Sequence, residues 1–204
     1  VGWILPLIMA SLFAFLIFAP LMGDGGKSGP IFFSEKGPGS MHAPIAFSII
    51  VGLAIGFLAQ RTRFCLMGAI RDIILIRNFH LAYGGVALLV AAFVTNLALG
   101  QFHAGFVGQP VAHTNHLWNF LGMSLAGLAF ALAGGCPGRQ LFMAGEGDGD
   151  AAMFVLGMIF GAGFAHNFSL ASSPAGVGFY GPLAVITGLL VCFYMGITMR
   201  EKIR

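Results

Sequence analysis

Cys136 is the residue whose surroundings point most directly to chemistry, because it lies where an apolar segment is interrupted. The helix-breaking residues around it are Gly134, Gly135, Pro137 and Gly138. Pro137 suits the first position of a new helix, so we expect Cys136 at a helix N-terminus, where backbone N–H groups attract anions and favour a thiolate. Arg139 adds a positive charge within one turn. The residues alone leave open the alternative of a helix end with a small buried thiol.

Cys65 is the second candidate thiol, and three arginines lie near it in the sequence: Arg61, Arg63 and Arg71. Nearby positive charge favours a thiolate and attracts an anion. The spacing leaves open the alternative of a cytoplasmic loop whose arginines only set the orientation in a membrane. Cys192 lies within an apolar run, and we expect it to pack there as a small apolar residue.

The remaining polar motifs indicate structural roles. His113 and His116 have the H-x-x-H spacing of metal ligands on a helix, but no carboxylate or cysteine lies near them, so we expect no metal site. Asp148 and Asp150 lack the distal glutamate of a calcium loop, and we expect one of them to cap the helix that follows. No phosphate loop, dinucleotide fingerprint or Ser-His-Asp arrangement is evident, so we expect no cofactor.

The composition indicates the environment in which these residues are held. The chain has 204 residues, of which 58% are hydrophobic and 8% are charged, against about 25% charged in a soluble domain. This argues against a water-soluble globular fold and against a disordered chain. A net charge of +3 with ten Lys and Arg argues against nucleic acid as a partner. Three cysteines without a C-x-x-C pair argue against a disulfide framework or a zinc cluster.

Long continuous apolar runs and 31 glycines predict an all-α, polytopic membrane protein with about six spans. The predicted spans are 1–22, 43–59, 81–100, 117–134, 151–170 and 182–199. Every charged residue lies outside them. Cys65 and Cys136 follow the second and fourth spans, so we expect two Cys-bearing segments in which a helix is broken or re-entrant.

Positive charge predicts the orientation of the spans. If the C-terminal tail is cytoplasmic, the loops 60–80 and 135–150 are cytoplasmic too, and both ends of this chain lie inside. Of the ten Lys and Arg, all but Lys27 and Lys36, which makes eight, are then on the cytoplasmic side. The predicted outer loops, 23–42, 101–116 and 171–181, are rich in Gly, Pro and His.

An internal repeat is predicted within what we expect to be a single membrane domain over 1–204. Its units are 43–100 and 117–170, each a span, a Cys-bearing break and a returning span. The two cysteines are 71 positions apart (136 − 65), and each has a glycine nine residues earlier, Gly56 or Gly127. Because both breaks begin on the same side of the predicted membrane, parallel repeats are favoured.

Three segments strongly resemble the YeeE/YedE family of sulfur-compound transporters: FLAQRTRFCLMGAIRD, GGCPGRQLFMAGEGDGDAA and GAGFAHNFSLASSPAG. The segments GWILPLIM, IFFSEKGPGSMHAP and GQPVAHTNHLWNFLGM are most similar to the YedE-type selenium transporters within it. Members of that type are longer and have two related halves, and this chain resembles the C-terminal half. The N-terminal half, or a second membrane subunit, is therefore an expected partner.

The resemblance implies an importer in the bacterial inner membrane for a small sulfur or selenium anion, such as thiosulfate. It implies that Cys65 and Cys136 line the path and pass the substrate by thiol contacts. From their positions, we expect four residues to stabilise the anion: Arg61, Arg63, Arg71 and Arg139. Two alternatives remain open. One is a membrane transferase that hands a persulfide-type group to a soluble cytoplasmic sulfur carrier, and the other is a structural subunit of a larger complex.

Overall fold

The computed structural model describes residues 3–18, 43–107, 109 and 113–199. Over these residues the chain is helical, and its one β feature is an isolated bridge between Ser173 and Gly176. The helices are α1 (Ile4–Phe18), α2 (Ile45–Thr62), α3 (Leu66–Ile76), α4 (His80–Ala98), α5 (His116–Leu132), α6 (Pro137–Glu146), α7 (Gly149–Asn167) and α8 (Gly181–Thr198). The predicted all-α class is confirmed.

Five of the helical stretches are long and apolar enough to cross a membrane, so the chain is a multi-pass membrane protein. They are Ile45–Ile76, His80–Ala98, His116–Glu146, Gly149–Asn167 and Gly181–Thr198. The first and third stretches each contain one of the Cys-bearing breaks. Helix α1 has 15 residues, and the end of the predicted span 1–22 lies outside the described residues.

The segments 60–80 and 135–150, predicted as cytoplasmic loops that carry the broken or re-entrant helices, are mostly helical. Helix α2 continues through Thr62, because Arg61 is a good helix former and its charge suits the negative end of the helix dipole. Two short helices, α3 and α6, fill most of the remaining segments. Both place apolar and polar residues on different faces, a pattern that forms a helix despite the charges.

The described chain separates into two compact units. One consists of Val1–Arg63 with Arg139–Met153, and the other of Phe64–Gly138 with Phe154–Arg204. The second unit contains all three cysteines and most of the helices discussed below. The single membrane domain stays a prediction.

Within the second unit, α3 and α4 form an antiparallel helical hairpin. Gly85 is buried on α4, and a Cβ added there would lie 3.0 Å from a methyl carbon of Leu66. Further along α3, a Cβ at Gly68 would lie 3.5 Å from Leu81. Small residues therefore let the start of α3 approach α4 closely, as in other membrane helix pairs.

Helices α5 and α8, also in the second unit, pack side by side in parallel. A Cβ added at Gly188 would lie 2.7 Å from Leu125, and one at Gly196 would lie 3.7 Å from Leu132. Residue numbers rise together along both helices, so the C-terminal ends of α5 and α8 lie at the same end of the pair. The break that holds Cys136 follows α5 at that end.

The order and lengths of the helices agree with the predicted units 43–100 and 117–170. Helices α2, α3 and α4 have 18, 11 and 19 residues, and α5, α6 and α7 have 17, 10 and 19. In both triplets a cysteine lies at the start of the short middle helix. The internal repeat and its parallel relation stay predictions.

Candidate functional site

Cys65 is the N-cap of α3, and its sulfur takes the part that an oxygen usually plays there. The residue is extended (φ −155°, ψ 116°), and its Sγ accepts a hydrogen bond of 3.2 Å from the backbone N–H of Gly68. Its carbonyl accepts from the N–H of Ala69 at 2.9 Å. The side chain of Ser, Thr, Asp or Asn makes the first of these bonds in most helices. With 9% of its surface exposed, Cys65 is a buried thiol held in one position.

Glycine at position 68 is what lets a backbone donor reach the sulfur. A Cβ at Gly68 would lie 3.3 Å from the Cβ of Cys65 and 3.5 Å from its Sγ, which is tight. On the other side of the cysteine, Phe64 rests against α4, where a Cβ at Gly84 would lie 3.5 Å from its ring. The break between α2 and α3 is therefore anchored on α4, and the thiol does not depend on a loop for its position.

A thiol in this setting has a defined chemistry. The sulfur of Cys65 accepts one hydrogen bond from the backbone. Accepting that bond makes the S–H of the same thiol a stronger donor. The S–H of Cys65 can therefore donate to a soft acceptor such as sulfur or selenium.

The break before Cys136 begins with a helix stop that glycine makes possible. Gly134 has φ +74°, a left-handed conformation that favours glycine. The N–H of Gly134 donates to the carbonyl of Ala131, and the N–H of Gly135 donates to that of Phe130, both at 3.2 Å. This pair of bonds is a Schellman motif, which satisfies the last carbonyls of α5. The predicted break at Gly134 and Gly135 is where the helix ends.

Cys136 directly precedes α6, whose first residue is Pro137. This confirms the prediction that Pro137 opens a new helix, because its missing N–H and fixed φ suit the first position. Gly138 is the second residue of α6, so the interruption itself consists of residues 133–136. Cys136 is half-buried, and like Cys65 it stands immediately before a short helix. None of the three cysteines forms a disulfide.

Arg61 and Arg63 lie at the end of α2 and are exposed. The guanidinium of Arg61 lies 5.9 Å from the centre of the Phe57 ring, within the range of a cation–π contact. Arg63 adopts a left-handed conformation (φ 50°, ψ 36°), in which its N–H donates to the carbonyl of Gln60 at 3.3 Å. Arginine rarely occupies this conformation, which glycine usually supplies at a helix end.

Arg71 and Arg139 both have acidic neighbours. The Nε and Nη2 atoms of Arg71 donate to one carboxylate oxygen of Asp72 at 3.1 and 3.0 Å, which offsets the arginine's charge. The Nη1 of Arg139 lies 3.9 Å from the carboxylate of Glu146. This nitrogen is buried and has no hydrogen-bond acceptor among the described residues, so it remains a charged donor able to bind an anion.

The described residues also place the predicted helix cap and the two histidines. The carboxylate of Asp148 accepts from the N–H of Ala151 at 2.8 Å, which confirms that an aspartate caps α7. His113 precedes α5 and His116 is its first residue, so the two do not share a helix face. No cluster of three His, Cys, Asp or Glu that could hold a metal occurs in the described part of the chain.

Sequence reasoning missed a polar cavity at the other end of α5 and α8. Its volume is about 490 Å³, and its polar wall includes His113 and Asn115. The histidines before α5 were a signal for it, but we weighed them only as metal ligands and expected no site there. The opposite wall of the cavity comes from the loop between α7 and α8, and the sequence alone does not show that these two loops lie together.

Comparison with known proteins identifies the family. The family model described as sulphur transport matches residues 61–199, which is more than half of the chain and includes both helix breaks. The chain belongs to the sulphur transport family. The resemblance to the YeeE/YedE proteins is thereby confirmed, and membership in this family agrees with the multi-pass helical fold.

Two relatives of this family member carry the name thiosulfate transporter TsuA. The protein from Escherichia coli is 34% identical over 108 residues, which are 52% of this chain and 30% of the relative. The protein from Spirochaeta thermophila is 30% identical over 99 residues, which are 48% of this chain and 29% of the relative. The matched part of the chain therefore spans less than a third of either relative. No solved structure matches the chain.

Proposed function

We propose that this chain forms part of a conduit that carries a small anion with a soft sulfur or selenium atom, such as thiosulfate, across the bacterial inner membrane. The observation that carries the proposal is the placement of Cys65 and Cys136, each directly before a short helix that interrupts a membrane-length helical stretch. Both lie in the region that matches the sulphur transport family. The names of the two relatives support thiosulfate as the first substrate to test.

The thiols act on the soft end of the anion. The S–H of Cys65 donates to the terminal sulfur or selenium, while its own sulfur stays hydrogen-bonded to Gly68. Cys136 provides the second thiol contact, so the anion moves from one cysteine to the next. A substrate must bind tightly enough to enter and weakly enough to leave, and a series of modest thiol contacts meets both needs better than one tight site.

Positive charge compensates the anion while it is out of bulk water. An unpaired anion is costly in an apolar environment, so donors must replace its hydration. Arg139 supports this role best, because its buried Nη1 has no hydrogen-bond acceptor among the described residues. Arg61 and Arg63 contribute exposed charge beside the first break, and Arg71 contributes less because Asp72 pairs with it.

The test is uptake of radiolabelled thiosulfate into cells that lack their own thiosulfate uptake and express the full-length protein. We expect Cys65→Ser and Cys136→Ala each to reduce uptake by about 10-fold or more, because each removes a sulfur that contacts the substrate. The serine hydroxyl can still accept the N–H of Gly68, so Cys65→Ser keeps the helix cap while losing the thiol. Cys192→Ser, a half-buried cysteine in α8, is the matched control and keeps uptake.

Two results would overturn the proposal. One is uptake at the wild-type rate by a stably expressed Cys136→Ala protein. The other is a persistent mass increase on Cys65 or Cys136 during turnover, together with delivery of the sulfur to a soluble carrier. That second result would make the protein a transferase, since a conduit returns its thiols unchanged after each passage.

A further inference from the structure

The polar cavity between two loops lies far from Cys136. Its walls are formed by Val107, Gln109, residues 113–115 and residues 174–177, all within the second compact unit. Both loops lie at the N-terminal ends of the parallel helices α5 and α8, whereas Cys136 follows the C-terminal end of α5. Helix α5 has 17 residues, which places the cavity about 25 Å from that break along the helix. This is close to the thickness of the apolar part of a membrane.

One wall of the cavity presents hydrogen-bond donors. The Nδ1 of His113 accepts from the N–H of Asn115 at 3.2 Å, so the proton of the neutral ring is on Nε2, which can donate. Asn115 is the N-cap of α5, yet its side chain makes no capping bond, so its carboxamide stays available to a ligand. Thr114 adds a hydroxyl to the same wall. The carboxamide of Asn119 donates to the carbonyl of His113 at 3.0 Å and holds the histidine in place.

The opposite wall is apolar and rigid. It consists of Pro174, Ala175 and Val177, with Gly176 between them. Ser173 and Gly176 exchange two backbone hydrogen bonds of 2.9 Å, which close a tight turn around the proline. No carboxylate is among the residues that line either wall. The cavity therefore offers donors on one side, an apolar surface on the other and no repulsion for an anion.

We propose that this cavity is a capture site for an anion that has an oxygen end and a soft sulfur or selenium end. The donors of His113, Thr114 and Asn115 bind the oxygens, and the apolar turn at Ala175 contacts the soft atom. Every outer atom of sulfate is an oxygen, so sulfate lacks the soft atom that contacts the apolar turn. This inference rests on the proposed function, because it supplies the entrance to a path whose second thiol, Cys136, follows the other end of α5.

Titration of the purified protein with sodium thiosulfate and with sodium sulfate tests binding to the cavity. The concentration dependence of thiosulfate uptake tests the role of the cavity in transport. We expect one molecule of thiosulfate to bind, more tightly than sulfate. The double variant His113→Ala/Asn115→Ala should weaken binding and raise the KM for uptake, each by about 10-fold, because two hydrogen bonds are lost. The maximal rate should not change, since the thiols are intact. His103→Ala, in the same loop but outside the lining, is the matched control.

A second pair of variants covers the case in which the double variant does not fold. Ala175→Glu places a negative charge on an exposed turn of the apolar wall, and Ala175→Gln places a neutral side chain of the same size there. We expect Ala175→Glu to raise the KM by about 10-fold and Ala175→Gln to raise it much less, because only the first repels an anion.

The outcomes separate this proposal from the transport proposal. If thiosulfate binding depends on His113 but the wild-type protein takes up no thiosulfate, the capture site stands and the transport proposal fails. If uptake depends on Cys136 while binding and KM are the same in wild type, the double variant and Ala175→Glu, the capture site is wrong and transport stands. Equal affinity for sulfate and thiosulfate would overturn the role of the apolar wall.

Discussion

Arg63 has a backbone role and a charge role at the first helix break. Its backbone makes the left-handed turn that ends α2, and its side chain brings positive charge close to Cys65 in the sequence. A left-handed conformation costs a residue with a Cβ about 1–2 kcal/mol relative to glycine. Glycine would therefore suit the backbone better. A role of the positive charge in the passage of an anion would explain why arginine occupies this position.

Replacing Arg63 by glycine separates the role of its backbone from the role of its charge. We expect Arg63→Gly to leave the free energy of unfolding within about 1 kcal/mol of the wild-type value, because glycine adopts the same turn without strain. Uptake of thiosulfate should fall, because the charge is removed. Arg77→Gly is the matched control, since Arg77 ends α3 in the same conformation (φ 53°). Thermal unfolding in detergent and uptake would be measured for both variants, and equal uptake by the two would contradict the role of Arg63.

For single residues, the sequence predicts the features that the residue type alone determines. The helix start at Pro137, the stop at Gly134 and the cap at Asp148 all follow from restrictions on φ or from a short polar side chain. The left-handed Arg63 does not follow, because nothing in arginine favours that conformation. The sulfur cap of Cys65 was also missed, since cysteine is not among the residues that usually cap helices.

Among the elements, the long apolar helices were predictable, whereas the short helix α3 was not. Continuous apolar runs of about 20 residues have few alternatives to a membrane helix. Helix α3 contains Arg71 and Asp72, and its segment was therefore interpreted as a loop. Its first residue, Leu66, packs against Gly85 of α4, and such contacts between segments are not visible in a single sequence.

Packing between α5 and α8 gives a prediction about glycine. A Cβ at Gly188 would lie 2.7 and 3.1 Å from the two methyl carbons of Leu125, so the side chain must leave its position or the helices must separate. We expect Gly188→Ala to destabilise the protein by about 1–3 kcal/mol, as overpacking does. Gly196→Ala is the control, because its Cβ would lie at an ordinary 3.7 Å from Leu132 and alanine favours a helix.

The two alanine variants would be compared by thermal unfolding in detergent. We expect the midpoint of Gly188→Ala to lie several degrees below that of Gly196→Ala, at roughly 2–4 °C for each kcal/mol. Equal midpoints would mean that the two helices do not pack as closely as the structure has them. A lower midpoint for Gly196→Ala alone would contradict the parallel register.

On the scale of the whole molecule, the chain leaves most of its apolar surface uncovered. Only 6–11% of the residues in each membrane-length window are buried by the rest of the described chain. Such helices require lipid or further protein around them, because this much apolar surface is not tolerated in water. The matched relatives are more than three times as long as the segment they share with this chain.

The parallel packing of α5 and α8 bears on the predicted orientation. Because the C-terminal ends of both helices lie at one end of the pair, the charged segment after α5 and the predicted cytoplasmic tail both follow helix ends on the same side. The positive-inside rule requires this if both are to be cytoplasmic, and eight of the ten Lys and Arg then lie inside. The capture site, between the loop before α5 and the loop before α8, would face the outside, where an imported anion arrives.

Reporter fusions in a bacterial host test this orientation. A green fluorescent protein fused after Arg204 should fluoresce, because it folds in the cytoplasm, and alkaline phosphatase fused at the same place should be inactive. Alkaline phosphatase fused after Ser172, in the predicted outer loop 171–181, should be active because it is exported. An active phosphatase after Arg204 with a dark fluorescent fusion would reverse the orientation. The anion would then meet the thiol end of α5 first, and a capture site at the far end would serve its release.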